Sequence, residues 1–152
     1  MSRRDRALAA ASAIAGVVGI GVSAYLTVVH YSALPLACPT GGVIGCERIL
    51  ASPYGVIAGS ALPTSTAGIV WFAISAALAI GQLAGRDSQL VLRIHLVWSA
   101  IGLATVLYLV FIEIVALGAI CVWCTAAHVL VLVTFLAVLT RIQTAGTQRL
   151  RD

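Results

Sequence analysis

The sequence predicts an all-α integral membrane protein, a bundle of four transmembrane helices with one sizeable outer loop bearing a short amphipathic helix. Three observations predict it. The chain is 61% hydrophobic and 9% charged, with no lysine, which excludes an ordinary water-soluble domain. Apolar stretches at about 8–31, 66–85, 94–117 and 121–140 can each cross about 30 Å of hydrocarbon, which takes roughly 20 helical residues. All four prolines, Pro35, Pro39, Pro53 and Pro63, fall in the segment 32–65 between the first and second stretches.

The first stretch follows "RRDR" and could be a signal peptide, but it is longer than the 7 to 15 residues, roughly, of such a segment's apolar region. "LPLAC" at 34–38 faintly resembles a lipoprotein cleavage site, which Pro35 fits poorly, so the span is expected to stay. The third and fourth stretches are broken only around "LGAI" at 117–120 and should form a tight hairpin with its bend at one membrane face. No repeat or second domain is visible, so 1–152 reads as one membrane domain whose tail, "TAGTQRLRD", is a short polar end. Arg3, Arg4, Arg6, Arg86, Arg93, Arg141, Arg149 and Arg151 flank the spans on one side, and only Arg48 lies in the long loop. The positive-inside rule then puts both termini and the middle loop in the cytoplasm, with the Pro-rich loop and the 117–120 bend outside. This bias accounts for the net charge of +4, and no nucleic-acid site is read into it.

All four cysteines fall on the outward side. That compartment, outside a bacterial cytoplasmic membrane or in the endoplasmic reticulum lumen, is oxidising and favours disulfides. Cys38 and Cys46 form C-x7-C in the loop; Cys121 and Cys124 form C-x2-C where the fourth span begins. Helical positions i and i+3 share a face, so the second pair can bond to each other. Cys121 also sits where free backbone N–H groups favour a thiolate, hence a good attacking and leaving group. A tetrathiolate zinc site is the poorer reading because the spacing does not suit a zinc ribbon. A haem attachment is excluded, since Thr125 rather than histidine follows Cys124. Two inert disulfides are the serious alternative, but a C-x2-C bond closes too small a loop to stabilise much. Two dithiols on one side are the parts for thiol-disulfide exchange.

A dithiol at the membrane edge needs an acceptor that lives in the membrane, and a quinone fits. His128, one turn past Cys124, could donate to a quinone carbonyl, relay a proton or simply bond a neighbouring helix. Glu113, two turns before the bend, is an intramembrane carboxylate and so a functional candidate. Tyr108, Trp123, Trp71, Phe72 and Phe111 could line an aromatic pocket or anchor the interface; of these Trp123 is taken as a candidate quinone contact. In "CERILASPYG" (46–55), Ile49, Leu50 and Tyr54 are apolar and Glu47 and Arg48 polar, a pattern for a surface helix that covers the bundle mouth and carries Cys46 above Cys121. Ser52 could bond a quinone oxygen or cap the turn before Pro53.

Four spans, C-x7-C after the first, a serine six residues past Cys46, P-x-S-x-x-G in "PTSTAG" (63–68) and C-x-W-C opening the last span together resemble the vitamin K epoxide reductase family, in particular its bacterial homologues. The resemblance covers nearly the whole chain. It implies a four-helix bundle around a quinone of menaquinone, ubiquinone or vitamin K type. It further implies that Cys124 lies nearest the ring, that Cys121 exchanges with Cys46, and that Cys38 faces a thioredoxin-like donor. The DsbB-type thiol oxidases also have four spans and two cysteine pairs, but there the C-x2-C comes first. Two departures stand out: His128 replaces the tyrosine of the vertebrate enzymes, and "AGSALP" (58–63) lengthens the approach to the second span. No thioredoxin-like domain follows Arg141, so the expected partner is a separate DsbA-like protein. The expected function is disulfide generation coupled to quinone reduction; reduction of a vitamin K quinone or epoxide, and an inert scaffold, are the alternatives.

Overall fold

The computed structural model describes residues 2–32, 36–39, 41–57, 59–86 and 88–149; Pro35, Ala58 of the "AGSALP" segment and Arg151 lie outside them. Four helices are long and apolar enough to cross a membrane. They are α1 (Arg3–Ser32), α3 (Thr64–Leu83), α4 (Gln89–Phe111) with its continuation Ile112–Ala116, and α5 (Val122–Arg149); α2 (Cys46–Leu50) lies in the loop. Helix α1 packs on α3 and α5, and α4 packs on α5 and α3, giving a closed ring of four.

Local chemistry sets the ends. The Ser2 hydroxyl accepts the Asp5 N–H at 3.1 Å, while the Asp5 carboxylate accepts the Ser2 N–H at 3.2 Å, a reciprocal cap for α1. Ser88 caps α4 by accepting the Val91 N–H. Small residues on α1 allow a close approach to α3: a Cβ on Gly16 would meet that of Ala76 at 2.8 Å, and one on Gly19 would run into the Phe72 ring. In lipid such steric fit is what holds helices together, since the tails are as apolar as the side chains. The opposite faces present Val17, Val28, Ile101, Leu107 and Leu136 outward.

The bend between α4 and α5 is as tight as the sequence suggests. Its backbone turns at Gly118, whose φ of 56° is the left-handed conformation that glycine adopts without cost. Before it, Ile112–Ala116 form a π-helical turn. The expected loop helix is present but short: α2 buries Cys46 and Ile49 and exposes Glu47 and Arg48, and a single 3-10 turn at Pro53–Gly55 follows.

Two expectations are corrected at the arginine-bearing end. Helix α5 runs on to Arg149, so "TAGTQRLRD" begins as helix; it contains no proline to stop it, and Thr144 bonds back to the Thr140 carbonyl and across to Asp5. Arg141, read as a charge marking the membrane face, is 3% exposed. Its Nη1 donates to Gln82 Oε1, and Gln82 Nε2 donates to His95 Nδ1 at 3.4 Å. These contacts gather α1, α3, α4 and α5 at the end opposite the cysteines.

Candidate functional site

Cys121 is the last residue before α5 and is fully buried. The Cys124 N–H, one of the free donors of that helix end, points at Cys121 Sγ from 3.3 Å. The Cys121 thiol is therefore held below its ordinary value, first by the hydrogen bond from the Cys124 thiol and then, against burial, by that backbone N–H. Both residues are free thiols, while Cys38 and Cys46 form a disulfide with a Cα–Cα distance of 6.4 Å.

The loop reaches this helix end through backbone bonds. Ile120 N–H donates to the Val43 carbonyl at 2.9 Å, and Gly45 N–H donates to the Ile120 carbonyl at 3.2 Å, forming a parallel bridge between Ile44 and Ile120. The residue after each bridged strand segment is a cysteine or leads to one, so Cys46 and Cys121 enter one buried cluster with Ile49 and Ala119. Cys46 is 2% exposed, whereas Cys38 is only half-buried. The loop disulfide thus has one end buried in the cluster with Cys121 and one end, also packed on that cluster, that stays partly accessible.

Beneath this cluster lies a cavity of about 590 Å³. The lid residues Ile49, Leu50, Tyr54 and Gly55 cover it; Cys124, His128 and Val131 of α5 and Glu113 form one wall, and Trp71, Phe72 and Trp98 form another. The lid is close-packed, since a Cβ on Gly55 would run into the Leu50 carbonyl oxygen. Trp71 and Trp98 hold α3 to α4 by a reciprocal pair of bonds, each indole N–H donating to the other's carbonyl at 3.2 Å. Trp98 escaped the sequence reading because a tryptophan in an apolar span gives the same signal as an interface anchor. Tyr108 and Phe111 are more than half exposed and face outward.

Of the residues singled out from the sequence, Cys124, Glu113 and His128 meet at this cavity. Trp71 and Phe72 line it as well, whereas Tyr108, Phe111, Ser52 and Trp123 do not. Ser52 Oγ donates to the Ile49 carbonyl at 2.7 Å, capping the turn before Pro53. Trp123 packs at 4.8 Å on Tyr25, and its indole N–H donates to the Ala37 carbonyl at 2.8 Å. The Ala37 N–H in turn donates to the Tyr25 hydroxyl at 3.2 Å. Position i+2 in a helix turns away from the face shared by i and i+3, which is why Trp123 grips the peptide beside Cys38 instead of lining the cavity. Trp123→Phe keeps the ring and deletes one donor. The Ala37 amide in the detergent-solubilised protein should then exchange hydrogen about fivefold faster, matching about 1 kcal/mol for one net bond; an unchanged rate would show that the bond does not hold the segment.

The arrangement is two dithiol units in contact, the inner one opening on an apolar cavity inside a membrane bundle. A comparison with curated proteins gives no match. The family model described as the vitamin K epoxide reductase family matches residues 10–139, spanning α1 to α5 and all four cysteines. With most of its length matched and the four-helix architecture in place, this chain belongs to the vitamin K epoxide reductase family.

Proposed function

We propose that this protein oxidises a separate thioredoxin-like, DsbA-like partner and passes the electrons to a quinone, generating disulfides on the outer side of a bacterial cytoplasmic membrane. The observation that carries the reading is the stacking of three elements: a half-exposed Cys38, a buried Cys46 beside Cys121, and Cys124 on the cavity wall. The cavity lies within the range of small-molecule sites, about 300–1,000 Å³, and has their pattern of apolar walls with few polar groups. Among its polar groups, Glu113, His128 and Cys124 are of the kind a quinone head needs nearby. A bound quinone supplies a sink for two electrons and two protons.

The partner's dithiol attacks the Cys38–Cys46 disulfide at Cys38, leaving through a mixed disulfide that its second thiol resolves; the partner is oxidised and the loop pair reduced. Cys46 then attacks Cys121 in the oxidised inner pair, releasing Cys124 as thiolate, and Cys38 closes the loop disulfide again. The inner dithiol, now facing the cavity, loses two electrons and two protons to the acceptor and returns to the disulfide. The cluster around Cys46 and Cys121 excludes water from the exchange. The arginine-rich end, with Arg86, Arg93 and the start of α1, faces the cytoplasm in this scheme.

The test is quinol formation followed by absorbance with purified protein. Cys38→Ala should keep turnover with a small dithiol, which reaches Cys124 through the cavity, and fall to background with a DsbA-like donor. Equal loss with both donors, or none with either, would contradict the assigned order of the relay.

A further inference from the structure

Closing the inner disulfide releases a proton from each thiol, and the two thiols are placed differently for losing it. Cys121 sits at a helix end whose N–H groups favour its thiolate, so its proton is the more readily lost of the two. Cys121 cannot also be the acceptor for the proton on Cys124, because it must be a thiolate to close the bond. The Cys124 proton needs another base inside the bundle.

Glu113 stands at that place. It is 6% exposed, and its carboxyl faces two donors, the Cys121 backbone N–H and the Cys124 thiol. A carboxyl placed against a thiol is positioned to take its proton. The π-helical turn at Ile112–Ala116 carries it there, and the Ala119 N–H donates to the Glu113 carbonyl at 3.0 Å, pinning its backbone to the bend before Cys121. Such turns inside α-helices recur at functional sites because they rotate a side chain out of the regular register. Glu113 and Cys124 line the same cavity, and among the described residues no other carboxyl lines it; the remaining titratable groups there are His128 of α5, His30 of α1 and Tyr54 of the lid.

We propose that Glu113 is the general base of the inner dithiol, taking the proton of Cys124 as that thiol gives up its electrons and delivering it to the acceptor in the cavity. The inference rests on the quinone-reducing function proposed above. In the step, the Cys124 S–H bond breaks and the Glu113 O–H bond forms. The Cys121–Cys124 S–S bond then closes with loss of two electrons to the quinone. Glu113 would hand that proton to the reduced quinone and regain its carboxylate, while the quinone's second proton would come from the outer aqueous phase that receives the Cys121 proton.

Two readouts test this, in Glu113→Gln and Glu113→Asp. In pre-reduced protein, single-turnover oxidation of the dithiol by a soluble quinone should slow about 100-fold in the glutamine variant, within the usual range for general-base catalysis, and partly recover in the aspartate variant. In quinone-free protein, the rate of Cys124 alkylation should be nearly flat with pH in the wild type, because the proton moves within the pair. In Glu113→Gln it should rise about tenfold per pH unit, as expected for a lone thiol below its pKa. Superimposed alkylation profiles would overturn the proposal even if turnover fell, since that would leave only a structural role. An unchanged single-turnover rate would overturn it as well. The alkylation readout needs no quinone, so a wild-type protein that failed to reduce quinone would defeat the proposed function while leaving this measurement to judge Glu113 separately.

Discussion

Replacing Cys124 with alanine will abolish dithiol-driven quinone reduction, a fall on the order of 10³-fold or more, because among the described residues it carries the one sulfur on the cavity wall. The loss will not come from misfolding. Cys124 is only half-buried and packs at the edge of the Cys46–Cys121 cluster without belonging to its buried centre, so the alanine variant should melt close to the wild type. A second signature follows from the contact between Cys46 and Cys121. Once Cys124 is absent, the Cys121 thiolate has no internal partner and attacks Cys46 in the loop disulfide, forming Cys46–Cys121 and releasing Cys38 as a thiol. Without Cys124 the released Cys38 is the thiol left to resolve that bond, so alkylating Cys38 as it appears traps the Cys46–Cys121 link. Peptide mapping of the unreduced variant should therefore find Cys46 linked to Cys121, with Cys38 open to alkylation. Wild-type turnover, or an intact Cys38–Cys46 pair beside a free Cys121, would contradict the relay.

The parts of this machine that one-dimensional pattern reveals are those with a period or a spacing. Span lengths follow from runs of apolar residues, and the confinement of prolines to 32–65 marks the loop. The i, i+3 spacing puts Cys121 and Cys124 on one helix face, and the amphipathic "CERIL" appears as a helix with Ile49 inward and Glu47 and Arg48 outward. What pattern does not carry is which neighbour a side chain meets once the helices are ringed. Trp123 and Ser52 sit near the cysteines in sequence yet bond to Ala37 and Ile49, outside the cavity, while Trp98 reaches it from another helix.

The same limit governs the ionisable residues. Glu113 and His95 send one signal from the sequence, a titratable group in an apolar run. Their heights in the bundle separate them: Glu113 lies under the α4–α5 bend beside the thiols, and His95 lies near the arginine-bearing end against Gln82. Only pairing of the helices tells the two apart, because each helix's inner face looks equally apolar. The structure thus has a polar end that carries the thiols and a second polar end built from Gln82, His95 and Arg141. Each end joins elements distant in sequence.

That second end should govern stability, and Gln82→Leu is the change that exposes it. Gln82 is 1% exposed and connects Arg141 of α5 with His95 of α4 from its place on α3. Leucine matches its size but leaves a buried guanidinium without that acceptor and His95 without that donor. Neutral hydrogen bonds between membrane helices average about 0.6 kcal/mol, too little to matter alone. A bond to a buried charge is worth about 1.5–3 kcal/mol, so the Arg141 contact decides the outcome. The expected cost is about 2–3 kcal/mol, a fall in melting temperature of roughly 5–10 °C for a chain of this size. Gln82→Glu keeps an acceptor for Arg141 and should lose less than half as much. Below the transition, quinone reduction by Gln82→Leu should stay near the wild-type rate, because the cysteines, Glu113 and the lid occupy the other end. A variant that melts with the wild type would show that small-residue packing between α1 and α3, rather than the Arg141 cluster, holds that end of the ring closed.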